Sequence, residues 1–317
     1  MVLTLNIGCH KHRFYGIALL IIPGPASKEL AHRVSNIVGI KTATLESKIF
    51  PDGDSYFRIN EDVSGQDVTI IQSTYPPQDR NLMQLFLLID GLKDLGCGRI
   101  YAVVPYLAYM RQDKRFLEGE MVSAQSILKL FNCLQIERLI TIDIHNKESL
   151  TFLRPPGLDL SAMPLMADWI SKREWKAPLV VAPDKGALHR AETVSKALGT
   201  DYVTGRKSRD RKTGDVTVEF DASLKVQGRV AVIVDDTIAR GDTVIKTAEI
   251  LHNRGATKVT ALCTHGQFLD NAVERIREAG VDDIISTDTI PTANSKISVA
   301  PTIADYLRPL ASGKAHG

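Results

Sequence analysis

Short apolar runs rich in β-branched residues alternate with helix-like segments along most of the chain, and this alternation leaves few folds open. The runs fall at 18–22, 68–72, 99–104, 138–142, 179–182, 230–234, 258–263 and 283–287. Between them, residues 27–38, 82–95, 123–131, 163–171, 188–198, 243–253 and 271–279 carry apolar side chains at helical spacing. Strand, helix and strand in turn signal parallel βαβ units whose strands are buried on both faces. The expected class is α/β. Leu153-Arg154-Pro155-Pro156-Gly157 breaks the rhythm, and 317 residues suit two domains of ordinary size. The predicted units are therefore 1–157, opening with a patternless extension over 1–16, and 158–298. An amphipathic piece within the tail, 299–317, is expected to pack back on the body.

A net charge of +2 gives no ground for a nucleic-acid partner. Cys9, Cys97, Cys133 and Cys263 show no paired spacing, so neither a disulfide framework nor a zinc site is indicated, and a cytoplasmic enzyme with reduced thiols is expected. The apolar run ending at Ile22 is too short to span a membrane, and Pro23-Gly24-Pro25 closes it.

The most informative stretch runs from Val230 to Thr243. A buried strand over 230–234 is followed by Asp235 and Asp236. The short loop Ala239-Arg240-Gly241-Asp242-Thr243 then leads into a helix that Thr243 is expected to cap. Ligands in open α/β sheets sit beyond the carboxyl ends of strands, where a helix N-terminus offers N–H groups to an anion. Paired carboxylates there suit a sugar diol, and the loop suits its phosphate. A solvated Asp-Asp turn would read the same way from this stretch alone.

Further segments remove that ambiguity. Phe50-Pro51-Asp52-Gly53-Asp54 is a turn bearing an aromatic ring. Pro105-Tyr106-Leu107-Ala108-Tyr109-Met110-Arg111-Gln112-Asp113 follows a strand, as do Asp143-Ile144-His145 and Pro183-Asp184. Lys207-Ser208-Arg209 lies in a basic connection. Together with the 230–243 stretch, these resemble the ribose-phosphate diphosphokinase (phosphoribosyl-diphosphate synthase) family, in its archaeal-type branch. The resemblance covers about residues 18–310.

That resemblance implies two tandem phosphoribosyltransferase-like domains, each a mostly parallel sheet flanked by helices. It implies transfer of the β,γ-diphosphoryl group of MgATP to the C1 hydroxyl of ribose 5-phosphate. Phe50, Asp52, Gly53, Asp54, Arg111, Gln112 and Asp113 would bind ATP, the first four serving a neighbouring subunit of a homo-oligomer. His145 and Asp184 would hold Mg²⁺. Lys207 and Arg209, on a flap, would be catalytic. Asp235, Asp236, Ala239, Arg240, Gly241, Asp242 and Thr243, with Arg209, would hold the ribose phosphate. The loop departs from the family's usual small residues at Arg240 and Asp242, where a carboxylate faces an expected dianion. Arg240 is expected to offset it by pairing with the phosphate or with Asp242. The departure keeps two alternatives open, a diphosphokinase for a different 5-substituted ribose and a catalytically weak regulatory subunit.

Overall fold

The computed structural model describes residues 19–209, 216–221 and 225–312, and of residues 207–209 and 216 the backbone alone. The 1–16 extension lies outside the described residues. Two all-parallel sheets form the frame.

The first opens with β1 (Leu19–Pro23), a wholly buried strand. Helix α1 (Lys28–Val38) follows and ends at Gly39, whose φ of 78° suits glycine. Ser27 does not cap this helix through its side chain, because its hydroxyl accepts the Ser73 N–H instead at 2.8 Å. An antiparallel hairpin, β2 (Leu45–Ile49) and β3 (Ser55–Ile59), stands apart from the sheet. Then come β4 (Asp67–Ile71), α2 (Gln78–Asp94), β5 (Ile100–Val104), α3 (Ser123–Cys133), β6 (Arg138–Ile142) and β7 (Leu158–Leu160). The strand order is β1-β4-β5-β6-β7. Because β7 pairs with β6, the first sheet continues past Gly157, the last residue expected of the N-terminal unit; the Pro-Gly stretch is a crossover within the sheet.

The second unit contains α4 (Met163–Ser171), β8 (Leu179–Ala182), α5 (Leu188–Leu198) and β9 (Tyr202–Thr204). A second antiparallel hairpin, β10 (Arg206–Arg209) and β11 (Val216–Glu219), precedes β12 (Val230–Ile238) and α6 (Asp242–Asn253). The chain closes with β13 (Lys258–Gly266), α7 (Ala272–Glu278), β14 (Asp283–Thr287), β15 (Ser295–Ile297) and α8 (Ala300–Ala311). Strand order is β15-β14-β13-β12-β8-β9. From β8 the chain winds outward to β9, then returns to the other side of β8 as β12 and winds away. The C-terminal ends of β8 and β12 thus form a switch point, where a crevice opens between loops that leave in opposite directions.

Alternate residues of each strand feed opposite faces. Ile22, Ile70 and Val104 meet Leu85, Leu128 and Phe131 of α2 and α3. Ile21, Val103 and Ile140 meet Val34 of α1 and Ile303 and Leu307 of α8. The chain's last helix therefore covers the first sheet, and each such aliphatic side chain fully buried contributes about 1.5–3 kcal/mol. In the second sheet, Val181, Ile233 and Ala261 pack on α6 and α7, while Val180, Val232 and Leu262 pack on α4 and α5. Among the described residues no helix is long and apolar enough to cross a membrane.

Candidate active site

Asp235 and Asp236 do not lie beyond their strand. β12 runs on to Ile238 because β13 continues beside it to Gly266, pairing Asp235 with Cys263 and Thr237 with His265. Asp236 is 6% exposed. Its Oδ2 lies 2.9 Å from His145 Nδ1, at the end of β6 in the other sheet. Arg190, in the first turn of α5, brings its guanidinium to 3.7 Å from the same oxygen and also donates to the Gly186 carbonyl at 2.9 Å. The Asp184 turn, Asp236 and His145 are joined through these contacts.

Burial alone would raise Asp236, but the His145 hydrogen bond and the Arg190 charge outweigh it and hold its carboxyl well below the usual carboxylate range. Asp235 goes the other way. Burial, then the neighbouring Asp236 and Asp184 carboxylates, push it well above its ordinary value. Two adjacent acids are thus driven apart, one firmly ionised and one short of positive charge. An ionised Asp236 only accepts hydrogen bonds, so Nδ1 of His145 is the donor, and the Nδ1–H tautomer of the neutral ring would leave the Nε2 lone pair free.

The backbone under His145 is fixed from both sheets. Asp143 has φ 43°. Its carboxylate accepts Ser161 Oγ at 3.0 Å, Ala162 N at 2.9 Å and Thr264 Oγ1 at 2.7 Å, the last from β13. Asp159 accepts Ile144 N at 2.9 Å and Thr141 Oγ1 at 2.9 Å. Asp113 accepts Asn146 Nδ2 at 2.7 Å, tying the loop after β5 to the loop after β6. Gln112 donates to the Lys114 carbonyl at 3.1 Å and to Glu120 at 3.2 Å. Gln267, just after β13, donates to the Tyr106 hydroxyl. A small cleft lies here, lined among others by Tyr106, Met110, Arg111, His145, Thr237 and His265.

Across the crevice, the loop after β12 starts α6 one residue earlier than expected. Gly241 is its N-cap at φ 82° and Asp242 its first residue, so Thr243 is not the cap. Arg240 pairs with Asp270 at 3.2 Å, not with Asp242. The partner of Asp242 is Arg275, at 2.7 Å. Ala239 contributes its carbonyl to Leu269 N at 2.9 Å.

Asp184 accepts Gly186 N at 2.8 Å and Ala187 N at 3.1 Å, which turns the chain out of β8. Gly205 donates to Ala182 O at 2.8 Å, and a Cβ on it would fall 2.6 Å from Pro183 O. The β10–β11 hairpin is therefore rooted against the residue before Asp184. The backbones of Lys207 and Arg209 lie in β10, opposite Val218 and Val216; their side chains lie outside the described residues. The turn holding Phe50, Asp52, Gly53 and Asp54 stands on the separate β2–β3 hairpin, away from the group around His145. There Phe50 meets the Tyr56 ring edge-on at 5.9 Å and Lys48 Nζ at 4.7 Å, Asp54 N donates to Asp52 at 3.1 Å, and Gly53 has φ 99°.

Among the described residues no three His, Cys, Asp or Glu side chains converge as a metal cluster. The chemistry of the donors nonetheless fits Mg²⁺ held partly by a substrate: one imidazole and one carboxylate, beside an acid raised by burial and by the neighbouring Asp236 and Asp184 carboxylates. Sequence reasoning did not single out Arg190 or Arg275. Arg190 follows Asp184 by six residues, a weak signal; Arg275 reaches the loop only through the packing of α7.

Two family models match the chain: the N-terminal domain of ribose phosphate pyrophosphokinase over residues 19–134, and the phosphoribosyl synthetase-associated domain over residues 210–303. A ribose-phosphate pyrophosphokinase of Sulfurisphaera tokodaii is 39% identical over 289 residues, 90% of this chain and 99% of that one. That of Methanothermobacter thermautotrophicus is 40% identical over 291 residues, 91% of this chain and all of its own. The crystal structure of phosphoribosylpyrophosphate synthetase from Mycobacterium smegmatis superposes with a TM-score of 0.83 at 28% identity, covering 93% of this chain and 99% of that one.

Proposed function

The chain belongs to the ribose-phosphate pyrophosphokinase family and is a diphosphotransferase, and from that we propose that its inter-sheet crevice is where MgATP meets ribose 5-phosphate. The C1 hydroxyl oxygen bonds to the β-phosphorus, the bond from that phosphorus to the α,β-bridging oxygen breaks, AMP leaves with the electron pair, and the hydroxyl proton passes to solvent. Such a transfer needs positioning and charge neutralisation more than covalent help.

The observation that carries this reading is the contact of His145 with Asp236 at 2.9 Å, which brings the expected metal ligand of one sheet against the expected ribose ligand of the other. Asp236, kept ionised, and Asp235 beside it accept hydrogen bonds from the ribose 2- and 3-hydroxyls. Loop residues Ala239, Arg240, Gly241, Asp242 and Thr243 take the 5-phosphate with backbone N–H groups at the start of α6. His145 and Asp184 would hold Mg²⁺, which when bound would supply charge neutralisation. Lys207 and Arg209 come from a hairpin rooted beside Asp184 and meet the moving diphosphoryl group; Arg209 also reaches the ribose phosphate. Arg111, Gln112 and Asp113, on the loop tied to the His145 turn, hold the nucleotide. Phe50, Asp52, Gly53 and Asp54 serve the adenine site of a second copy in a homo-oligomer. The exposure of Phe50 on a hairpin outside the sheet supports that role. Pairing of Asp242 with Arg275 supports an acceptor that carries a phosphate dianion.

The reading is tested by AMP release from ATP and Mg²⁺ with ribose 5-phosphate, with ribose and with a ribose 5-phosphodiester. Turnover should be robust with the first alone. Equal turnover with the diester would restore the altered-acceptor alternative.

A further inference from the structure

Helix α7 supports the 239–242 loop with two consecutive side chains. Ile276 packs beneath Gly241, where a Cβ would come within 2.6 Å of its Cδ1, so this position admits only glycine without rearrangement. Arg275 reaches past it. Its Nη2 donates to Asp242 Oδ1 at 2.7 Å and its Nη1 to the Arg240 carbonyl at 3.1 Å. One planar guanidinium thus grips the loop on both sides of Gly241, a geometry a lysine cannot reproduce.

The need for this grip follows from Asp242. As the first residue of α6 it sits where the helix N–H groups attract an anion, and its carboxylate would repel a phosphate dianion brought to the same end. Arg240 pairs with Asp270 and not with Asp242.

We propose that Arg275 is a positioning residue for the ribosyl phosphate: it neutralises Asp242 and fixes the Arg240 carbonyl, so that the loop presents its N–H groups to a dianionic 5-phosphate. This rests on reading 239–243 as the phosphate loop. The pair makes Asp242 of the loop and Arg275 of α7 a single unit. Losing the arginine harms binding most while the aspartate remains.

The test measures AMP release by the full chain at saturating MgATP while ribose 5-phosphate is varied. Arg275→Ala should raise KM for ribose 5-phosphate about tenfold, with kcat and the KM for ATP changed less than about twofold. Arg275→Ala/Asp242→Asn should bring that KM back to within about threefold of the parent, because the charge needing a partner has gone. Arg275→Lys, which keeps charge without the fork, should fall between, and it serves as the comparison if the alanine variant does not fold. Thr243→Val reports on the loop itself and should also raise KM. If Thr243→Val raises KM and Arg275→Ala does not, or if Asp242→Asn fails to restore the double variant, the role of Arg275 is overturned. If both single variants leave KM unchanged, the phosphate-loop reading fails and takes this inference with it.

Discussion

His145 Nδ1 lies 2.9 Å from Asp236 Oδ2, a hydrogen bond that joins the end of β6 in one sheet to β12 in the other. In the neutral imidazole it selects the Nδ1–H tautomer, the form whose Nε2 can ligate a metal. Asp236→Asn should therefore weaken the Mg²⁺ requirement curve as well as sugar binding, raising the half-saturating Mg²⁺ concentration about 10–100-fold. His145→Ala should do the same, and the double variant should be little worse than either. Additive losses across that cycle would mean the two residues act separately.

Lys207→Ala should cut turnover about 10²–10³-fold while ATP affinity changes less than about twofold, as expected of a cation that acts on charge developing in the transition state. Equilibrium binding of ATP, measured beside AMP release, decides this. Equal loss of both would contradict the role assigned to the flap.

Phe50 is half-exposed beside Lys48 and Tyr56, with no core to fill. If its ring stacks on adenine, Phe50→Ala should raise the KM for ATP about tenfold and spare the KM for ribose 5-phosphate. Because the β2–β3 core is untouched, thermal stability should stay within experimental scatter. A lowered melting temperature with unchanged ATP kinetics would make Phe50 a structural residue.

Asp159 is 3% exposed and its pKa is pushed up from 3.8 to about 6, chiefly by burial, with Asp143 adding to the shift and the Ile144 N–H, Lys147 and Thr141 opposing it. A carboxyl whose folded-state value is raised holds its proton more tightly when folded. Its contribution is fully present below pH 3.8 and lost as pH rises through 6. The loss is on the order of 3 kcal/mol at full ionisation. Thermal melts of Asp159→Asn against the parent should show the variant gaining relative stability between pH 4 and pH 7. A difference independent of pH would show that Asp159 does not titrate there.

Much of the frame was legible because it rests on patterns a single segment carries. The apolar runs that became β1, β4, β5, β6, β8, β12, β13 and β14 are buried on both faces, so each one reads as a strand without its neighbours. Strand ends were harder. Asp235 and Asp236 are polar and looked like a turn, but pairing with β13 keeps them extended. The β2–β3 hairpin is mostly exposed and its sequence has no clean alternation, so nothing local marked it. The acids and the histidine of the site were readable as motif residues, whereas the cations that answer them were not. Arg190 and Arg275 acquire meaning only when α5 and α7 bring them to Asp236 and Asp242. Arg240, expected to pair with the phosphate or with Asp242, meets Asp270 here, and Asp242 is answered from a helix packed against the loop, which neighbours along the chain do not reveal.

One measurement reaches furthest. With ATP labelled in its β-phosphate, Mg²⁺ and ribose 5-phosphate, the label should move to the sugar product in step with AMP release, and neither should occur without the sugar. Label appearing in ADP, or AMP formed at the same rate with no ribose 5-phosphate present, would contradict diphosphoryl transfer in the crevice between the two sheets.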